Sequence, residues 1–296
     1  MSHPVLLELC RKNPIILAKA EAGHRLGSEI VTDRKGLLQM ANYESAVRRP
    51  GSVAQAEIDA GLRAYMNKVY SLMGVAMVIT GIVAYVFGND LYAVMRGQET
   101  AIVPSGLILT LFNSPLKWAV MFGPLLFVFG FAAMINKMSA STAQTVFWVF
   151  SAMMGLSISS IFAVYTGMSI AQTFFATAIA FLGLSLYGYT TKKDLSGWGS
   201  FLIMGVIGLI VCSILNIWLQ SSALSFAVSI IGILIFAGLT AYDTQRLKNE
   251  YLHYATMGAQ GAAYLAKGAI MGALSLYINF LNMFMFLLQF MGAARE

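Results

Sequence analysis

The sequence predicts an all-α integral membrane protein with seven transmembrane helices. Three observations carry that prediction. Of its 296 residues, 58% are apolar and 11% charged, whereas a soluble domain carries roughly 25% charged residues, so the chain has too little polar surface to face water. The apolar residues are gathered into runs close to the ~20 residues that cross a hydrocarbon core. The basic residues occupy the short gaps between those runs, where they orient a membrane protein, and form no stripe interleaved with aromatics. The net charge of +6 is therefore read as a lipid-bilayer signature and not as a nucleic-acid surface.

Taken in order, residues 1–62 are mixed and polar and read as a cytoplasmic N-terminal tail, poorly ordered or weakly helical, with 63–296 as the transmembrane domain. The apolar patches at 5–7 and 15–17 are too short to span or to form the core of a secretory signal. Glu8 argues against lipoprotein processing at Cys10, and Met40 marks a second candidate start. Spans are expected at 69–87, 116–135, 142–165, 170–189, 199–219, 224–244 and 268–291. The apolar stretch 102–112 is short and flanked by prolines, and is expected to lie in the interface instead of crossing. With the N-terminus in the cytoplasm, Arg63, Lys68, Lys137, Lys192, Lys193, Arg246, Lys248 and Lys267 all fall on the cytoplasmic side. Arg96, Lys117 and Arg295 fall on the other, as does the C-terminus. That imbalance obeys the positive-inside rule; the reverse topology violates it.

Small residues repeat on single faces: Ser151, Gly155 and Ser159 in the third span, and Gly205, Gly208, Cys212 and Asn216 in the fifth. In lipid such faces let helices approach closely. The sixth span carries Ser225, Ser229, Gly232, Phe236 and Asp243 on one side. A charged Asp at a helix centre costs roughly 2.5–3.5 kcal/mol on insertion scales, and less near an end, so Asp243 is expected to point into the bundle. The seventh span has a matching stripe of Ser275, Asn279, Asn282 and Gln289. Two readings stay open for these stripes, structural hydrogen bonding and a wet ion pathway. Asp243 also lies three residues before Arg246, close enough for a simple juxtamembrane ion pair.

The inventory excludes several chemistries. Cys10 and Cys212 are too few and too far apart for a disulfide framework or metal site, and no prosthetic group is implied. His3, His24 and His253 all lie outside the apolar runs, so no serine in a span has a base beside it. The seventh span offers no second carboxylate for an aspartyl protease. No internal repeat suggests a secondary transporter. An enzyme is therefore not expected.

Three segments then carry a resemblance. Gly238-Leu239-Thr240-Ala241-Tyr242-Asp243-Thr244-Gln245-Arg246, the run Ile270-Met271-Gly272-Ala273-Leu274-Ser275-Leu276-Tyr277-Ile278-Asn279-Phe280-Leu281-Asn282, and Tyr189-Thr190-Thr191-Lys192-Lys193-Asp194-Leu195-Ser196 resemble the bacterial branch of the Bax inhibitor-1 (transmembrane Bax inhibitor motif) family, over about residues 60–296. The resemblance implies seven helices with the last central to a bundle of six. It implies a pH-sensitive calcium leak channel, as in characterised bacterial members, or a non-conducting regulator of a membrane-bound ATP-dependent protease, as in a Gram-negative member. Eukaryotic members suppress cell death and lower calcium stores. The family's sensor is a pair of aspartates on the sixth and seventh helices, near a basic residue at the end of the second. Asp243 matches the first, but the second falls at Asn279, and Lys137 matches the basic residue loosely. An Asp–Asn pair cannot share a proton as two carboxylates do. Calcium takes six to eight oxygens, usually including several carboxylates, so Asp243 with Asn279, Asn282 and carbonyls is expected to offer only a weak, transient contact. The expected pathway or sensor residues are thus Asp243, Asn279, Asn282, Lys137 and Arg246.

Overall fold

Hydroxyl side chains set the start of several helices. Ser139 Oγ accepts from Thr142 N (3.1 Å), Thr166 Oγ1 from Ser169 N (3.2 Å) and Ser221 Oγ from Leu224 N (3.3 Å), each satisfying an N–H that has no partner within its helix. In the loop before another helix, the Asp194 carboxylate accepts from Ser196 N. The Ser196 hydroxyl and backbone N–H together hold that carboxyl below its usual range. This contribution is present above the ordinary carboxylate pKa and is lost as pH falls through the lowered one.

The computed structural model describes residues 49–294. The helices are α1 (Arg49–Met95), α2 (Ser105–Asn113), α3 (Leu116–Met134), α4 (Ala140–Ile158), α5 (Ile161–Val164), α6 (Gly167–Thr190), α7 (Ser196–Leu219), α8 (Ser222–Tyr254) and α9 (Gly258–Met291), with a 3₁₀ turn at Ile135–Lys137. Seven are long and apolar enough to cross a bilayer: α1 (from Ala56), α3, α4 with α5, α6, α7, α8 and α9. The described residues contain no strand, only an isolated bridge between Tyr165 and Ala294. The chain divides at Asp59/Ala60, and the helical bundle belongs to the second unit. Met40, Cys10, His3, His24 and the tail through residue 48 lie outside the described residues, as does Arg295.

The outward faces of these helices are apolar. Trp218, Ile179 and Leu126 are 70% exposed or more, a surface suited to acyl chains and not to water. Burial is concentrated in α9, whose most apolar window is 61% buried against 11–39% for the other six spans. It packs on α8, α6 and α4, while α8 also packs on α6 and α7, and α3 on α4. Two glycines let backbones touch: a Cβ on Gly155 would lie 2.6 Å from the Thr80 carbonyl oxygen, and one on Gly188 would lie 2.2 Å from that of Ala241. Close approach of this kind substitutes for the apolar driving force that lipid removes. Gly205 faces the Ile235 side chain, but Gly208 has open space around it, so the small face of α7 is shorter than its sequence suggests.

Several boundaries differ from expectation. Residues 49–62 are helical and extend α1, as their Ala, Glu, Gln and Leu content favours. The third span breaks after Ile158 and resumes as α5; the Ser159 carbonyl there would lie 2.4 Å from a Cβ on Gly88. The largest difference lies between the last two spans. The stretch expected as a loop from Arg246 to Lys267 is mostly helical, because α8 continues to Tyr254 and α9 begins at Gly258, where φ is +60°. Asp243 therefore sits well inside a helix, eleven residues before its end. The stretch 102–112 overlaps the nine-residue α2 (Ser105–Asn113), too short to cross.

These contacts set expected stabilities. Gly188→Val should cost about 1–3 kcal/mol, the usual range for overpacking a closed contact. Gly183→Ala, on the open side of the same helix, should be neutral or stabilising by up to about 1 kcal/mol. Thermal unfolding of the purified protein in detergent, followed by size exclusion, checks both.

Candidate functional site

Successive residues of a helix point about 100° apart, and the run 243–246 of α8 uses this to reach four different places. Asp243 turns toward α9. Its Oδ2 accepts from Ser275 Oγ (2.6 Å) and from Asn279 Nδ2 (2.8 Å), two donors one turn apart. Its Oδ1 pairs with the Arg246 guanidinium at 3.1 Å. Thr244 turns toward α6 and bonds Ser185 Oγ (3.0 Å), which in turn bonds the Tyr70 hydroxyl of α1. Gln245 clamps the α6–α7 loop, donating to the Lys193 carbonyl (2.7 Å) and accepting from Leu195 N (2.8 Å). Asp243 is 4% exposed, but the Arg246 side chain is 47% exposed. The charge is thus buried on one side and open to solvent through its partner on the other.

Arg246 borders an open polar cavity of about 390 Å³ whose lining includes Gln245, Asn249, Glu250 and His253. In the opposite direction along the α8–α9 seam the packing becomes aromatic. Phe236 and Phe286 stack with ring centroids 6.0 Å apart, and a Cβ on Gly232 would lie 2.6 Å from the Phe286 ring. Beyond this closure lies a second, smaller cavity of about 140 Å³, lined by Ser213, Asn216, Ser225 and Gln289 among others. There Asn216 donates to Ser225 Oγ (2.6 Å) and accepts from Ser221 N (3.0 Å). The seam therefore has a charged end, an aromatic middle and an amide-lined end.

Of the residues expected from the sequence, Asp243, Asn279 and Arg246 come together, with Ser275 as a fourth member. Asn282 donates to the Ile278 carbonyl of its own helix (2.9 Å). Lys137 is exposed in the 3₁₀ turn after α3, and Arg246 is the cation at Asp243. Among the described residues no group of three or more His, Cys, Asp or Glu side chains is placed to hold a metal ion. Two polar nodes were not anticipated. Tyr277 OH meets Thr80 Oγ1 (2.6 Å), which also lies 2.9 Å from the Ser151 carbonyl, tying α9 to α1 and α4. Asp90, 2% exposed, accepts from the backbone N–H groups of Ala101, Ile102 and Val103 (2.8, 3.0 and 2.6 Å) and closes the loop after α1. Its signal was an acid near the end of an apolar run, beside Gly88 and Asn89.

The sequence pattern of the family described as "Inhibitor of apoptosis-promoting Bax1" matches residues 62–296. The chain belongs to this Bax inhibitor family. It is 46% identical over 254 residues to an uncharacterized protein of Caulobacter vibrioides, covering 83% of this chain and 95% of that one. It is 43% identical over 252 residues to the inner membrane protein YbhL of Escherichia coli, covering 84% and 99%. An uncharacterized protein of Rickettsia prowazekii is 40% identical over 238 residues, covering 80% and 93%. With its seven apolar helices, this Bax inhibitor family member is a multi-pass membrane protein.

Asn279→Asp tests the geometry of this family member's site. A second carboxyl would stand where an amide nitrogen now lies 2.8 Å from Asp243 Oδ2, and the pair would retain a shared proton in the folded state. A carboxyl held protonated by folding favours the fold at low pH. The variant should therefore lose thermal stability as pH rises from mildly acidic to mildly alkaline, by more than the parent does. Melting curves across pH measure this directly, and equal slopes for the two proteins would contradict the assigned contact.

Proposed function

We propose that this Bax inhibitor family protein is a calcium leak pathway of the bacterial inner membrane, with ions passing along the α8–α9 seam and Arg246 acting as its internal counter-ion. One observation carries the reading: the Asp243 carboxylate is buried inside an apolar bundle, yet joined through Arg246 to an open polar cavity. An intramembrane acid facing a polar seam is a candidate ion-path group, because a charge in that position is costly and is kept where it has a use. Asp243, Ser275 and Asn279 offer too few oxygens to hold calcium tightly, and weak binding suits conduction because an ion must leave as readily as it arrives. In the present arrangement Asp243 is occupied by Arg246 and the seam is closed by Phe236 and Phe286, so we read it as shut. Asn279 supplies no second carboxylate, so the seam holds no proton shared between two acids. The name of the Escherichia coli relative supports the inner membrane. The basic residues that flank the apolar runs, Arg63, Lys192, Lys193 and Lys248, support a cytoplasmic N-terminus and an external C-terminus.

A second reading has its own observation. The helical extension of α8 and α9 beyond the apolar runs, with Asn249 and His253 exposed, is a surface by which a non-conducting regulator would engage a membrane-bound ATP-dependent protease or other membrane partner.

Liposomes loaded with a calcium dye separate the two. Under the leak reading, Asp243→Asn lowers calcium flux about tenfold, equivalent to about 1.4 kcal/mol of lost cation attraction. Arg246→Gln and Phe286→Ala raise it. A protein that folds and inserts normally but passes no calcium at any pH, while retaining a partner through the α8–α9 extension, would favour regulation.

A further inference from the structure

A groove on the flank of the bundle, separate from the seam, has the layout of an amphiphile site. Its volume is about 350 Å³, and it lies between positions 63, 66, 67 and 70 of α1 and positions 182, 185, 186 and 189 of α6. Each set is spaced i, i+3, i+4, i+7, so each is one continuous stripe of its helix, and the two stripes face each other. The groove is graded along its length. At one end stand Arg63 and Asn67, both exposed. At the same end, just past Tyr189, the chain leaves α6 into the exposed Lys192 and Lys193. Lys248 adds a further charge there, its Nζ donating to the Tyr189 carbonyl (2.8 Å) and lying over the Tyr189 ring. Deeper in the membrane the wall is aliphatic: Leu182 and Leu186 are 65% and 63% exposed on the lipid-facing side, so the groove opens sideways into the acyl-chain region and not only to water.

We propose that this groove binds an anionic phospholipid, with the phosphate at Arg63 and Asn67 and one acyl chain along Leu186 and Leu182. Charge complementarity selects the headgroup. A basic rim at the end of transmembrane helices, above an apolar cleft, matches the negative headgroup and apolar tail of such a lipid, and juxtamembrane Lys and Arg attract anionic lipid at about 1 kcal/mol each. A neutral lipid leaves the rim without its counter-charge, and a soluble anion leaves the aliphatic wall uncovered. The position also gives the lipid a route to the seam. Ser185 at the groove floor bonds both Tyr70 and Thr244, and Thr244 adjoins Asp243, so an occupant pressing on Tyr70 bears on the helix that carries the buried acid. Binding itself is independent of the leak reading and can fail or succeed without it.

The test uses the full chain, delipidated in detergent and titrated with phosphatidylglycerol or with phosphatidylcholine of the same acyl chains, with adducts counted by native mass spectrometry. Preference for phosphatidylglycerol is expected. Arg63→Gln should reduce that preference roughly fivefold, the loss of one juxtamembrane positive charge. Lys117→Gln, at the opposite end of the bundle, should leave it unchanged. Leu186→Trp, which narrows the groove from its exposed wall and so spares folding, should weaken retention of phosphatidylglycerol. Soluble glycerol phosphate in excess should not displace the lipid. Equal binding of the two lipids would overturn the proposal. So would selectivity that survives Arg63→Gln or is lost in Lys117→Gln, and so would displacement by glycerol phosphate, which would mark a simple anion site.

Discussion

The constraint on which the rest of this structure depends is the placement of one negative charge in an apolar bundle. A carboxylate within lipid-facing helices is tolerated only if its oxygens are satisfied locally. Asp243 meets that requirement with three partners: the Ser275 hydroxyl, the Asn279 amide and the Arg246 guanidinium. Two of them lie on α9, so the separation, register and rotation of α8 against α9 are fixed by the same contacts that solvate the charge. The most buried helix is accordingly the one that carries these donors.

The neighbours of Asp243 extend the same logic outward. Because consecutive helical side chains diverge, a short polar run fixes several elements at once. Asp243 binds α9, Thr244 reaches α6 and, through Ser185, α1, and Gln245 fastens the α6–α7 loop by both ends of its amide. Each of these groups would be costly in lipid if left unsatisfied. A change at any one of them therefore disturbs a different interface, and the motif is less a single site than a junction.

Much of this was legible in the chain. The seven apolar runs, the spacing that puts Ser275 and Asn279 on one face, and the inward direction of Asp243 all follow from the length and period of the pattern. What was harder to read has physical reasons. Residues 246–267 look like a loop by hydropathy, since charged, amide and small side chains interrupt the apolar pattern there, but Arg, Leu, Lys, Glu, Gln and Ala are good helix formers and the helices continue past the apolar region. Asn282 lies on the polar stripe, but its amide is satisfied by the Ile278 carbonyl one turn back on its own helix, which spacing alone does not reveal. Lys137 and Arg246 compete in sequence for the role of counter-ion, and proximity along one helix decides for Arg246. Gly208 resembles its neighbour Gly205 in sequence and differs only in what stands opposite. Asp90 was hidden because its partners are backbone amides of a loop, which carry no sequence signature.

The fit of the Phe286 ring against the bare backbone of Gly232 has a mechanical consequence. A ring lodged in a notch with no side chain of its own is freed less easily by a rotamer change than by drawing the two helices apart. Unblocking the seam would then enlarge the protein's footprint in the membrane plane, and the lateral pressure of the surrounding lipid does work against that expansion. Under the proposed leak reading, bilayer tension thereby becomes a conjugate variable of seam opening.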